Sequence, residues 1–197
     1  VPFLPEWKPA RSRPQRNAYH RFTVDRHLLE TAAEASKLVD RVKRPDLLVV
    51  GALLHDIGKP YPGDHTEVGV ELIKTIGTRM GFNKADIRIL IGMCEHHLLL
   101  PDIATRRDLD DFDTIQTVGN FLTTVESVRL LHALTEADSI ATGPAAWSTW
   151  KAGLVQDLAN RTSSYLEGGA GSIIERTFPT PEQLQMMRRG MMKVEGN

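Results

Sequence analysis

Cysteine is nearly absent. Cys94 is the only one in 197 residues, so no disulfide can form within the chain, which fits a reducing cytosol. No apolar run reaches the roughly 18–20 residues that a membrane-spanning helix needs, and no secretory leader pattern is visible. The net charge is only −1. That excludes a generic electrostatic binder of nucleic acid or of membrane surfaces, while leaving room for a local basic patch. Internal repeats and low-complexity segments are missing, and no stretch alternates with period two for long enough to form a strand. Hydrophobic residues make up 41% and charged residues 25%, ordinary values for a soluble domain with a core. The chain opens on Val1 and not Met, which reads as an excised segment of a longer protein or a processed chain.

Helical periodicity predicts an all-α domain. Residues 1–21 carry Pro2, Pro5, Pro9 and Pro14 among Arg11, Arg13, Arg16 and Arg21; the prolines deny regular helix and predict an arm lying on the domain. A first helix is expected from Val24 to Val42, capped by Thr23. A second starts near Pro45 and ends at His55-Asp56. It is apolar on nearly all sides and is therefore the buried, central one. Asp64 and Glu67 have capping-box spacing for a third, through about Thr75. Asn83 caps a fourth, whose Ile87, Leu90, Ile91, Cys94, His97 and Leu98 share a stripe. Thr123 and Glu126 form a further capping box opening a helix to about Ala141. The last helix is expected from about Pro144 to Leu166, with Trp147, Trp150, Leu154 and Leu158 on one side, before Gly168-Gly169-Ala170-Gly171. The proline-containing tail from Thr177, with Met186-Met187 and Met191-Met192, reads as the start of a linker. The expected organisation is an arm over 1–21, one domain over 22–167 and a linker over 168–197.

His55-Asp56 closes the apolar run from Leu47 to Leu54, where a charged carboxylate survives only if paired or bound to metal. Asp138 continues the core-facing series Val128, Leu131, Thr135, so it needs a metal or a cation for the same reason. His27 lies beside Leu28 at the edge of the first helix's apolar stripe; taken alone it is equally a solvent-edge histidine. Together, His27, His55, Asp56 and Asp138 make a candidate metal site built from several helices. Imidazole and carboxylate suit one or two divalent ions such as Mn, Fe, Co or Zn, with Mg kept as a further candidate. His97 points inward with Cys94, His96 is rotated about 100° from it, and His65 lies just before the third helix; these are candidates for a second ion. Lys59, just beyond the ligands, is a candidate contact for a phosphoryl group or a solvated lysine. Arg106 and Arg107 read as a solvated pair before they read as a phosphate or partner contact. His20 in the arm, His132 on another face of its helix and Cys94 on an apolar stripe are discounted.

The string His55-Asp56-Ile57-Gly58-Lys59, with a histidine before it and an aspartate well after it, resembles the HD-domain superfamily of metal-dependent phosphohydrolases. Four further stretches sharpen the resemblance over roughly residues 15–165: Tyr19-His20-Arg21-Phe22-Thr23-Val24-Asp25-Arg26-His27, Gly63-Asp64-His65-Thr66-Glu67-Val68-Gly69, Arg106-Arg107-Asp108, and Ala137-Asp138-Ser139-Ile140-Ala141-Thr142 with Trp147 and Trp150. They are similar to the HD domain of bifunctional uridylyltransferase/uridylyl-removing enzymes. Pro60 stands where that pattern has Gly. The resemblance implies an HD helical bundle. It also implies a hydrolase that removes a nucleoside monophosphate, UMP or AMP, from a tyrosine of the PII nitrogen-signalling protein. Asp56 would bridge two metals, and glutamine would act as effector through ACT domains that do not fit in this chain. The rival expectations are another HD nucleotide phosphohydrolase, a non-catalytic ligand-sensing HD module and, more remotely, a redox HD oxygenase.

Overall fold

The computed structural model describes residues 4–15 and 20–169. Its elements run α1 (Val24–Ser36), α2 (Pro45–Leu54), α3 (His65–Arg79), α4 (Lys84–His96), α5 (Leu99–Arg106), α6 (Phe112–Leu122), α7 (Val125–Thr142) and α8 (Thr149–Gly168), with short 3-10 helices over Pro5–Ala10 and Val39–Arg41. The fold is all-α, as the sequence predicts, and the described residues contain no strand. None of their helices is long and apolar enough to cross a membrane.

The central helix is α2, packed by α1, α4 and α7. Leu47, Leu48, Ala52 and Leu54 on it are essentially inaccessible, and truncating any of the three leucines to Ala would cost about 2–5 kcal/mol. Arg44 holds the start of α2 to that of α4 through Asp86, at 2.6 Å. On the other side of the bundle, α8 covers α5, α6 and α7. Its buried Arg161 donates to the Leu109 carbonyl at 3.0 Å and to Asp110 at 2.8 Å, which pins the α5–α6 loop.

Caps set several boundaries. Asp64 accepts from the Thr66 and Glu67 amides, and Asn83 from those of Ala85 and Asp86. Four expectations need correction. First, α1 stops at Ser36 and not Val42; Thr23 is its N-cap residue, as expected, but gives its hydroxyl to Asp25 at 2.6 Å and makes no side-chain cap bond. Second, the cap of α7 is Thr124, whose Oγ1 accepts from the Ser127 amide. Glu126 is engaged elsewhere, accepting from the Lys43 amide at 2.7 Å, and Thr123 terminates α6 at φ 54°. Third, α8 starts at Thr149 and not Pro144, so Trp147 precedes it, and Trp150 is 67% exposed. Fourth, α5 and α6 were not anticipated. Pro101 is compatible with α5 because it falls in the first turn.

The arm carries a 3-10 helix where no regular structure was expected. Ala10 on it is buried, and Tyr61 donates to the Glu6 carbonyl at 3.0 Å. Glu6 also pairs with Arg79. Arg16, Tyr19 and the tail from Ala170, with its methionine pairs, lie outside the described residues.

Candidate metal centre

Four elements bring polar side chains to one buried point. His27 sits on the first turn of α1, His55 and Asp56 directly follow α2, His97 directly follows α4, and Asp138 lies on the last turns of α7. His27 and His55 have no more than 1% exposure, Asp56 has 3% and His97 has 6%. The His27 Nε2 lies 3.0 Å from Asp138 Oδ1 and 4.0 Å from Asp56 Oδ2. The His55 Nε2 lies 3.2 Å from Asp56 Oδ2 and 3.6 Å from Asp138 Oδ1. His97 Nε2 is 3.7 Å from Asp56 Oδ1. Ligand atoms of His27, His55 and Asp138 all fall within 4.8 Å of one another, close enough for one ion.

The backbone explains how two of the rings are aimed. His55 and His97 each follow the last residue of a helix, and each places its Nδ1 on a carbonyl three residues back: Ala52 at 2.9 Å and Cys94 at 2.7 Å. With Nδ1 engaged there, Nε2 faces the carboxylates, and in the neutral ring its lone pair is the one free for a metal. After α2 the chain turns through Ile57→Leu54, Lys59→Asp56 and Tyr61→Gly58 amide-to-carbonyl bonds of 3.0 Å each. Pro60 interrupts none of them. Gly58 is required here: a Cβ would lie 1.9 Å from the His65 carbonyl oxygen and 2.7 Å from the Gly69 nitrogen.

Electrostatics favour a cation. Burial penalises charge on Asp56 and Asp138, yet the His55 imidazole beside them holds both carboxyls well below the usual range. Burial pulls His55 down, but Asp56 and Asp138 outweigh it and raise the imidazole to about 10. His97 is lowered, chiefly by burial. The Lys59 ammonium pairs with Asp56. His27 Nε2, His55 Nε2 and Asp56 Oδ1 are buried without a hydrogen-bond partner, and buried polar atoms of this kind in native folds have partners to meet. Two carboxylates and three imidazole nitrogens converging here fit a divalent transition-metal ion.

A cavity of about 580 Å³ between α7 and α8, bordered by Arg41, His132, Glu136 and Trp147, contains none of these residues. The HD domain family matches residues 24–143, a span that opens on α1 and closes just past α7 and so holds the whole centre. The chain belongs to the HD-domain family. It is 52% identical over 91% of its length to a stretch making up 22% of the bifunctional uridylyltransferase/uridylyl-removing enzyme of Streptomyces coelicolor. A protein of that name from Mycobacterium tuberculosis is 50% identical over 89% of the chain and 22% of its own length. One from Gluconobacter oxydans is 35% identical over 95% and 21%. The chain thus spans about a fifth of the length of the curated relatives it matches. It is an HD domain similar to a stretch of those enzymes.

Not every anticipated residue joins the HD centre. His65 opens α3 half-buried and makes no ion pair with the two acids. His96 lies against Phe121, ring centroids 5.1 Å apart, on another side of α4. Arg106 is a surface residue near Asp102, at 3.6 Å. Cys94 is a small buried residue whose thiol burial pushes up to about 12. One discounted residue is a neighbour of the centre: the His20 ring stands edge-on to His27, with centroids 5.0 Å apart. A proline-rich arm without periodicity carries no signal that would place it there.

Proposed function

We propose that this HD domain is a metal-dependent phosphodiesterase of the cytosol that removes a nucleoside monophosphate, UMP or AMP, from a tyrosine of nucleotidylated PII. The observation that supports this reading most is the convergence of His27, His55, Asp56 and Asp138, with His97 beside them, at one buried point. The names of the relatives supply the uridylyl group, and PII as the partner follows from the resemblance of the motifs. In this reading glutamine acts through regions outside this chain.

His27, His55 and Asp138 would hold one ion, and Asp56 with His97 would face the same ion or a second one. Mn, Fe, Co, Zn and Mg are the candidates. Bound there, such an ion supplies Lewis acidity and a water of lowered pKa. Asp56 and Asp138, kept ionised by the surrounding imidazoles, accept hydrogen bonds from that water and orient it. Lys59 sits at the accessible edge of the centre, with 24% of its side chain exposed, and places its ammonium against a non-bridging phosphoryl oxygen. In the reaction the water oxygen bonds to phosphorus, the bond from phosphorus to the tyrosine oxygen breaks, and the phenolate takes up a proton. The products are free tyrosine hydroxyl and nucleoside monophosphate.

His55→Ala and Asp56→Ala should each lose metal and hydrolysis of nucleotidylated PII while circular dichroism stays helical. Hydrolysis that survives in a metal-free double variant would sink the mechanism. Turnover of free nucleotides in preference to nucleotidylated PII would instead select another HD phosphohydrolase. Metal stoichiometry near zero with tight small-molecule binding would select a sensing module.

A further inference from the structure

Four imidazoles form a row across the centre. His20 meets His27 at 5.0 Å between ring centroids, His27 meets His55 at 5.5 Å and His55 meets His97 at 5.3 Å, each pair edge-on. Two of the rings, His55 and His97, are oriented from behind, by the carbonyls of Ala52 and Cys94. His27 differs. It stands at the start of α1, its Nδ1 is buried, and that atom has no hydrogen-bond partner. The adjacent ring presents the matching deficit: His20 Nδ1 is also buried and without a partner. Neither carboxylate of the centre lies within ion-pair distance of His20, whereas both reach His27.

We propose that His20 is the positioning residue of His27. Its Nδ1 accepts a hydrogen bond from His27 Nδ1–H and so turns the His27 Nε2 lone pair toward the metal. The ring separation accommodates one N–H···N bond after a small rotation of either ring, or one bridging water. A metal-bound histidine almost always has such an outer partner on its second nitrogen, and among the described residues His20 is the imidazole placed to supply it. Its own location is fixed by the fold. The Arg21 amide donates to the Thr142 carbonyl at 3.2 Å, which ties the arm to α7 one turn beyond Asp138, the acid that faces His27. His20 therefore carries the tautomer with Nε2–H and is not a ligand.

The inference rests on the metal reading of the centre, and the test separates the two. Mn²⁺ and Co²⁺ affinities are measured on the wild-type chain, His20→Ala and His20→Asn by competition with a chromophoric chelator. Apo-protein melting serves as the fold control. Asn carries a polar atom where the His Nδ1 lies. His20→Ala should bind about 10–100-fold more weakly, and His20→Asn should recover most of the loss. Wild-type affinity in His20→Ala, or an Asn variant as weak as Ala, overturns the proposal. A wild-type chain that takes up no metal overturns the centre itself, and this inference with it. Long-range ¹H–¹⁵N spectra of the Zn²⁺-loaded wild type read the same point without a variant. His27 protonated on Nδ1 and His20 on Nε2 are expected; the reverse tautomers overturn it.

Discussion

Asp138 shows how one residue exposes a site. An unpaired carboxylate on the inner face of a helix costs several kcal/mol, and at this position the opposing groups are His27 and His55. His55 yields a pH prediction. Its imidazole is raised from 6.5 to about 10, so the metal-free protein keeps the ring charged through neutral pH. That contribution to stability is complete below pH 6.5 and disappears as the pH rises through about 10. A metal needs the neutral ring, so loading at pH 8 should release about one proton per centre, and affinity should rise with pH. Calorimetry in buffers of different ionisation enthalpy checks this; no proton release at pH 8 contradicts it. Lys59→Met should keep the metal and lower the turnover number by about 10²-fold, measured with nucleotidylated PII. At this scale the structure brings His27, His55, Asp56, His97 and Asp138 together, all named from the sequence. His96 lies on Phe121, on the side to which helical spacing rotates it away from His97. His20 was discounted, because contact across a non-helical arm has no period to read.

At the element scale the turn after α2 is the critical joint. Gly58 touches the start of α3 so closely that Gly58→Ala must push backbone against backbone. A loss of more than about 2 kcal/mol in urea unfolding is expected; a neutral effect would mean that α3 docks elsewhere. Thr123 in the left-handed region ends α6, so Thr123→Gly should stabilise the fold by about 1 kcal/mol. Asp64 and Asn83 were legible as caps because a side-chain oxygen acts on amides two and three residues away. The cap of α7 was misread by one residue, since Glu126 is drawn to Lys43 by a contact 83 positions apart. The short helices α5 and α6 went unread because α8 and Arg161 cover and anchor them.

On the scale of the whole molecule, the centre joins the ends of α1, α2, α4 and α7, so metal should tie the bundle together. With free metal at 100 times its dissociation constant, binding adds about 2.7 kcal/mol, or roughly 5–10 °C in a domain of this size. Chelator should lower the melting temperature by that much in the wild type and hardly at all in Asp138→Asn. The sequence by itself determined the helical class, the buried character of α2 and the pairing of histidine with aspartate at its end, because periodicity and the penalty for burying charge act locally. Only the tertiary structure decided which acids meet which imidazoles, and that His20 stands behind His27. Those contacts come from separate helices and an arm held by one long-range backbone bond, and no local pattern records such a distance.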